Sequence, residues 1–152
     1  MAVQSRDQLA VIDPRGQQIV RRVGLAGCDH DHGLLVDAPH RLAFVACDGN
    51  ARLLVVDLDQ MRVTAAHRVG RSPDVLAFDL GLGRLYVGSE SGTVTVFAER
   101  AGRLVRLGAG VMPHAHAVAV DPRAHRVYPP LEREPGRCCA SWHPPRGRGV
   151  RG

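Results

Sequence analysis

Histidine and aspartate side chains recur at equivalent positions of this 152-residue chain. The three segments are His30-Asp31-His32, Ser72-Pro73-Asp74 and His114-Ala115-His116, and each begins 42 residues after the previous one. Residues i and i+2 of an extended strand project from the same face, so each His-x-His pair offers two imidazoles in one direction. Imidazole nitrogens with a carboxylate suit zinc, copper, nickel or iron(II). The predicted metal ligands are His30, His32, Asp74, His114 and His116.

A structural role for the same side chains is the alternative. Loops that lead into buried strands use His or Asp side chains to hydrogen-bond backbone groups that would otherwise lack a partner. The residue types and positions fit both interpretations, so both stay open. Three further histidines, His40, His67 and His125, fall in turns or in an outer strand and are predicted to be solvated.

Three aspartates, Asp37, Asp79 and Asp121, share the 42-residue interval, and each follows an apolar segment. Aspartate at the start of a hairpin accepts hydrogen bonds from the backbone of the turn. A residue that recurs in every unit is structural rather than catalytic. The sequence also lacks a Gly-x-Ser-x-Gly nucleophile motif and a phosphate-binding glycine loop. A complete catalytic set is missing, which favours a protein that is not an enzyme.

The elements that must position these residues are short strands. In one complete unit, apolar or alternating segments cover residues 75–78, 84–88, 93–97 and 103–107, and turn-forming residues separate them. The first segment is almost entirely apolar, as in a strand buried on both faces, whereas the third begins with alternating polar and apolar residues. Each unit is therefore predicted to be a four-stranded antiparallel meander.

The units repeat along the chain. Phe44, Tyr86 and Tyr128 recur at the same interval and are predicted to pack between units. A fixed period of this length indicates units that bury their apolar faces against one another. Strands that grade from a buried first strand to an exposed last one are typical of β-propeller blades.

The predicted fold class is therefore all-β, with about three blades in an incomplete ring. Residues 9–13, 53–57 and 95–97 are predicted to be equivalent third strands. The chain would open with the third and fourth strands of one blade and end after the first two strands of another. Closed propellers have about four to eight blades.

The chain resembles the YVTN-type (YncE-like) β-propeller repeat proteins over roughly residues 8–131. The resemblance lies in segments 50–57, 74–79, 83–88 and 116–128. It implies a chain of about seven blades, truncated here at both ends, and a parent that is often periplasmic or secreted. The architecture hosts binding scaffolds, lyases, lactonases and electron-transfer enzymes. A lactonase site would need Glu and Asn around a divalent ion, whereas His and Asp stand at these positions.

Composition separates a repeat region, 1–131, from a tail, 132–152. The tail is rich in arginine, glycine and proline and is predicted to be disordered or non-native. Of the formal net charge of +5, residues 1–130 contribute fifteen arginines against thirteen acidic residues. These arginines are scattered and lack aromatic stacking partners, which argues against nucleic-acid binding.

The four cysteines show no C-x-x-C spacing. Cys28 and Cys47 fall in different predicted units, Cys138 and Cys139 are adjacent in the tail, and all are predicted to be buried or incidental thiols. No apolar leader and no membrane span is evident. As written, the chain is predicted to be soluble and cytoplasmic.

The leading functional prediction is a non-enzymatic binding scaffold that presents loops at the mouth of the propeller channel to a protein or a small ligand. One alternative is a metal-dependent enzyme or metal carrier that uses the paired histidines. A third is a truncated product with no autonomous function. Two copies of such a chain could also close one ring as a homodimer.

Overall fold

A computed structural model describes residues 1–113 and 117–129. Within these ranges the chain forms thirteen strands and two single-turn 3₁₀ helices, Gln4–Arg6 and Asp48–Asn50. The strands are β1 (Ala2–Val3), β2 (Gln8–Asp13), β3 (Gln18–Gly24), β4 (Asp31–Asp37), β5 (Leu42–Cys47), β6 (Arg52–Asp57), β7 (Arg62–Arg68), β8 (Pro73–Asp79), β9 (Arg84–Ser89), β10 (Thr93–Arg100), β11 (Arg103–Val111), β12 (Ala119–Asp121) and β13 (Arg126–Tyr128). No helix in the described part of the chain is long enough to cross a membrane.

The strands form four antiparallel sheets in chain order. The first sheet is β1-β2-β3, the second β4-β5-β6-β7, the third β8-β9-β10-β11 and the fourth β12-β13. The second and third sheets are the predicted four-stranded meanders. The first strands of neighbouring sheets, β4, β8 and β12, lie beside one another. These sheets are β-propeller blades, with β4, β8 and β12 as inner strands, and the described residues form an open ring rather than a closed one.

The first sheet differs from the prediction by one strand. The chain opens with β1, a counterpart of the second strand of a blade, which pairs Ala2 with Leu9 and Val3 with Gln8. Two residues are too few to show alternation, so this strand could not be predicted from the sequence.

Alternate residues of each blade pack against different neighbours. On β5, Ala43 and Val45 pack with the first sheet, whereas Leu42 and Phe44 pack with the third. Phe44 and Tyr86 are fully buried, which confirms their predicted packing role, and Tyr128 is partly buried. The interfaces between neighbouring blades are thus apolar layers to which both blades contribute.

A register shift recurs at the same place in three blades. It falls between Val11 and Ile12 in β2, between Val55 and Val56 in β6, and between Val96 and Phe97 in β10. Ile12, Val56 and Phe97 are therefore structural equivalents. Val56 and Phe97 are 0% exposed, but Ile12 is 44% exposed. In the described part of the chain no sheet covers the outer face of the first blade.

The cysteine prediction was wrong for two of the four residues. Cys28 and Cys47 form a disulfide with a Cα–Cα distance of 5.3 Å. Because β4 and β5 are antiparallel, Asp31 at the start of β4 pairs with Cys47 at the end of β5. The loop before β4 therefore carries Cys28 beside Cys47, within one blade. Cys138 and Cys139 lie outside the described residues.

Candidate functional site

Three of the five predicted ligands, His30, His32 and Asp74, fall among the described residues and lie at the N-terminal ends of the inner strands. We call this region, formed by residues 29–32 and 71–74 with the turns at 48–51 and 89–92, the N-terminal rim. β4 begins at Asp31 and β8 at Pro73. The two described segments, 30–32 and 72–74, thus lie at the same end of neighbouring inner strands, at one mouth of the propeller.

One imidazole and one carboxylate meet across two blades. His32 Nδ1 lies 2.8 Å from Asp74 Oδ1, and the two side chains are 50% and 25% exposed. The next residue, Gly33, packs so closely on β8 that a Cβ atom there would overlap the carbonyl oxygen of Asp74. A glycine at this position therefore permits the backbone approach that holds the pair together.

His30, the one other predicted ligand among the described residues, does not join this pair. His30 has a left-handed backbone, φ 55°, and its Nδ1 lies 2.7 Å from Asp29 Oδ1. The hydrogen bond to Asp29 and the charge of that carboxylate raise the pKa of His30. His114 and His116 lie outside the described residues. The structure thus pairs two of the five predicted ligands with each other, His32 and Asp74.

Backbone hydrogen bonds fix the N-terminal rim in the same way in two blades. The Asp48 amide donates to the carbonyl of His30 at 2.9 Å, and the Glu90 amide donates to the carbonyl of Ser72 at 2.8 Å. Ser72 also repeats the left-handed conformation of His30, with φ 50°. The backbone of the rim is therefore repeated, although its side chains are not.

Asp31 is a polar residue of this rim whose burial the sequence did not indicate. It is fully buried, and neither carboxylate oxygen makes a hydrogen bond within the described residues. Burial raises its pKa, and the nearby backbone amides of Val3 and Gln8 only partly offset that effect. Its own amide donates to Asp7 Oδ1 at 3.3 Å.

A second polar cluster lies at the opposite end of the inner strands. His40 Nδ1 lies 2.8 Å from Asp37 Oδ2 and 3.7 Å from Glu99 Oε2. Both carboxylates are buried, whereas His40 is 46% exposed. The hydrogen bond to Asp37, its charge and then that of Glu99 raise the pKa of His40. Glu99 comes from the neighbouring blade, so the 42-residue period could not signal this cluster.

The three recurring aspartates are not equivalent in their contacts. Asp79 Oδ1 accepts from the Leu82 amide at 3.1 Å, and Asp121 Oδ1 accepts from the Arg123 and Ala124 amides. These bonds confirm the predicted turn-capping role, and those of Asp121 lower its pKa. For Asp37 the prediction was wrong, because Oδ2 bonds His40 and the buried Oδ1 has no hydrogen-bond partner within the described residues.

The prediction that three histidines are solvated holds for His40 and His125, which are exposed, and was wrong for His67. His40 and His125 pair with the buried carboxylates of Asp37 and Asp79. His67 packs edge-on against Phe97, with ring centroids 5.2 Å apart. Its Nε2 is buried, and burial lowers its pKa. The outer strand β7 is covered here by the next blade, which the sequence pattern did not indicate.

A cleft of about 600 Å³ opens between the second and third blades. Its walls include polar and apolar side chains from both blades: His40, Val55, Thr64, His67, Arg103 and Leu104. His40, the exposed member of the cluster with Asp37 and Glu99, therefore borders a space large enough to admit water or a small ligand.

Comparison with known proteins identifies the fold. No family model matches the chain, and no curated protein is similar in sequence. Among solved structures, hydrazine synthase of Kuenenia stuttgartiensis superposes with a TM-score of 0.74 at 16% identity, covering 84% of this chain and 37% of that one. The dihydro-heme d1 dehydrogenase NirN gives 0.64 at 22% identity, covering 85% and 29%.

A third similar structure is a chain of the mitotic checkpoint complex, with a TM-score of 0.67 at 7% identity, covering 82% of this chain and 40% of that one. This chain thus spans well under half the length of each of these three neighbours. At such low identities the likeness shows the β-propeller fold alone, because that fold hosts unrelated activities.

Proposed function

We propose that this chain is part of a β-propeller interaction module that binds a protein partner at the N-terminal rim and carries out no chemistry of its own. One observation carries the proposal. The rim backbone repeats between two blades, with the same turn hydrogen bonds and the same left-handed residue, while the side chains change from His30 and His32 to Ser72 and Asp74.

The contrast with the rest of the blade supports this role. Positions that the fold requires keep a buried aromatic side chain, as Phe44 and Tyr86 show. His32 and Asp74 are partly exposed, are not repeated and are held on a fixed backbone. A rigid surface loses little conformational entropy on binding, so side chains displayed in this way favour recognition. The rim carries both signs of charge, which suits a polar segment of a partner.

The neighbours and the disulfide set the context of the proposal. One similar chain belongs to a multiprotein assembly, the mitotic checkpoint complex, and the other two belong to proteins named as enzymes. A disulfide persists mainly in oxidising compartments. The Cys28–Cys47 bridge therefore supports a periplasmic or secreted location over the cytoplasm.

Site-specific photo-crosslinking in cells tests the interaction proposal. A photoreactive amino acid at position 30 should capture a discrete partner. The same group at the exposed position Gln60, in the turn between β6 and β7, should not. The purified partner should then bind the chain at least tenfold more weakly when Asp74 is changed to Asn. Capture at both positions alike, or equal binding by Asp74→Asn, would contradict the proposal.

A second candidate function is metal binding at the same rim by His30, His32, Asp74, His114 and His116. The observation that favours it is the His32–Asp74 pair, a nitrogen and an oxygen donor 2.8 Å apart on adjacent blades. Protein purified without an affinity tag should then contain stoichiometric zinc, copper, nickel or iron. The metal should be lost when His114 and His116 are changed to Ala, and its absence after reconstitution would end this candidate.

A further inference from the structure

We propose that Asp37, His40 and Glu99 form a binding site for a divalent transition-metal ion at the end of the propeller opposite to the N-terminal rim. Nitrogen and carboxylate oxygen donors of these three residues all lie within 4.8 Å of one another. Donor atoms bound to zinc at 2.0–2.2 Å are separated by about 3.5 Å in a tetrahedral site. Side-chain adjustments of about 1 Å would therefore close the cluster around one ion.

The charges at this point are unbalanced without a cation. Asp37 and Glu99 are buried carboxylates, and among the described residues their only ion-pair partner is His40, whose side chain is 46% exposed. One imidazolium leaves an excess negative charge in a poorly solvated place, which is unfavourable. A divalent ion beside a neutral imidazole would balance both carboxylates.

A polar atom without a partner points to the same conclusion. Asp37 Oδ1 is buried and makes no hydrogen bond within the described residues. Its repeat equivalent, Asp79, uses one oxygen for the Leu82 amide and the other for His125. Buried carboxylate oxygens normally have a partner. Both oxygens of Asp79 thus have partners, whereas Asp37 Oδ1 is available to bind a ligand.

The third ligand is oriented by its own turn. Glu99 Oε1 accepts from the Gly102 amide at 2.7 Å, at the hairpin between β10 and β11. That bond fixes the carboxylate and leaves Oε2 on the side of His40, 3.7 Å from Nδ1. Hydrogen bonds that hold a ligand in place in this way are typical of protein metal sites.

The donor set indicates which ions the site would take. One imidazole nitrogen and two carboxylate oxygens suit zinc or manganese(II) better than soft ions, which prefer sulfur. Three protein ligands also leave coordination positions for water or for an anion. Because His40 lines the cleft between the second and third blades, those positions would face solvent that the cleft admits.

Calorimetric titration with ZnCl₂ tests the site against a matched control. His40→Ala and Glu99→Gln should each weaken zinc binding at least tenfold. His125→Ala removes the imidazole that pairs with Asp79, a pair that no third ligand joins among the described residues, and it should leave zinc binding unchanged. Equal zinc affinity in all four proteins would overturn the proposal.

A second measurement locates the ion without relying on a variant. The chain has eight histidines, so a bulk titration alone does not place the metal. Substoichiometric Mn²⁺ should broaden the amide resonances of residues 38, 40, 41 and 99–102 in the full chain, and diamagnetic Zn²⁺ should restore them. Broadening confined to the N-terminal rim or to other residues would overturn the proposal in favour of a site elsewhere.

Discussion

His125 Nδ1 lies 2.8 Å from Asp79 Oδ2, and this contact joins the β12–β13 hairpin to the inner strand of the preceding blade. The carboxylate is buried and the imidazole is 43% exposed. Changing His125 to Ala should lower the free energy of unfolding by about 1–3 kcal/mol, because a buried acceptor loses its partner. Urea denaturation measures the change. His30→Ala, which removes an exposed pair, is the control and should leave the midpoint unaltered.

Asp31 should make stability depend on pH in the acid range. Burial raises its pKa above the ordinary aspartate value of 3.8, so at pH values between the unfolded and the folded pKa the folded protein binds more protons than the unfolded chain. The free energy of unfolding therefore rises as the pH falls through the raised pKa. At neutral pH the buried, charged carboxylate lowers it.

Asp31→Asn tests that dependence. It should raise the melting temperature at neutral pH, and the gain should shrink as the pH falls through the raised pKa. Calorimetric melts across the range measure both effects. Asp59→Asn, at an exposed residue paired with Arg41, should show no such gain. If the wild type melted at a higher temperature than Asp31→Asn at neutral pH, Asp31 would have a stabilising partner.

Gly33→Ala should destabilise the protein and loosen the rim. The added methyl group would overlap the carbonyl oxygen of Asp74, so β4 and β8 must separate. Overpacking of this kind costs about 1–3 kcal/mol. Gly108→Ala is the control, since no atom lies near its added Cβ. Urea denaturation compares the two, and equal midpoints would mean that the inner strands are not in firm contact.

Reduction of the Cys28–Cys47 bridge should weaken the second blade. The bridge closes a loop with a sequence separation of 19. A crosslink over a loop of this size stabilises a protein by about 3 kcal/mol through the entropy of the unfolded chain. Changing both cysteines to Ser should lower the urea midpoint to that of the reduced wild type. A variant as stable as the oxidised protein would exclude a stabilising bridge.

The uncovered face of the first blade predicts self-association. Ile12 pairs with Ile19, and these residues are 44% and 43% exposed, although the equivalents of Ile12 in the next two blades are fully buried. Light scattering should show two copies per particle, consistent with a homodimer that closes the ring. Ile12→Asp should give a monomer, whereas Leu80→Asp, at an exposed turn residue, should not. A wild-type monomer would contradict the homodimer.

The repeated backbone could be predicted from the sequence, and the contacts between blades could not. The 42-residue period and the turn residues were enough to predict the two complete meanders, because each strand is long enough to show its pattern of apolar and polar residues. Residue pairs such as His40 and Glu99 come from different blades, and their approach depends on the angle at which sheets stack. The disulfide was predictable in principle, since antiparallel pairing places the start of β4 beside the end of β5.

The disulfide also bears on the order in which the blades fold. In the folded protein the pairing of β5 with β4 places Cys28 beside Cys47. Because the bond needs no residue of the third or fourth blade, oxidation can follow once this hairpin has formed, before the later blades pack. The bridge then keeps the start of β4 beside the end of β5 even when the two strands separate.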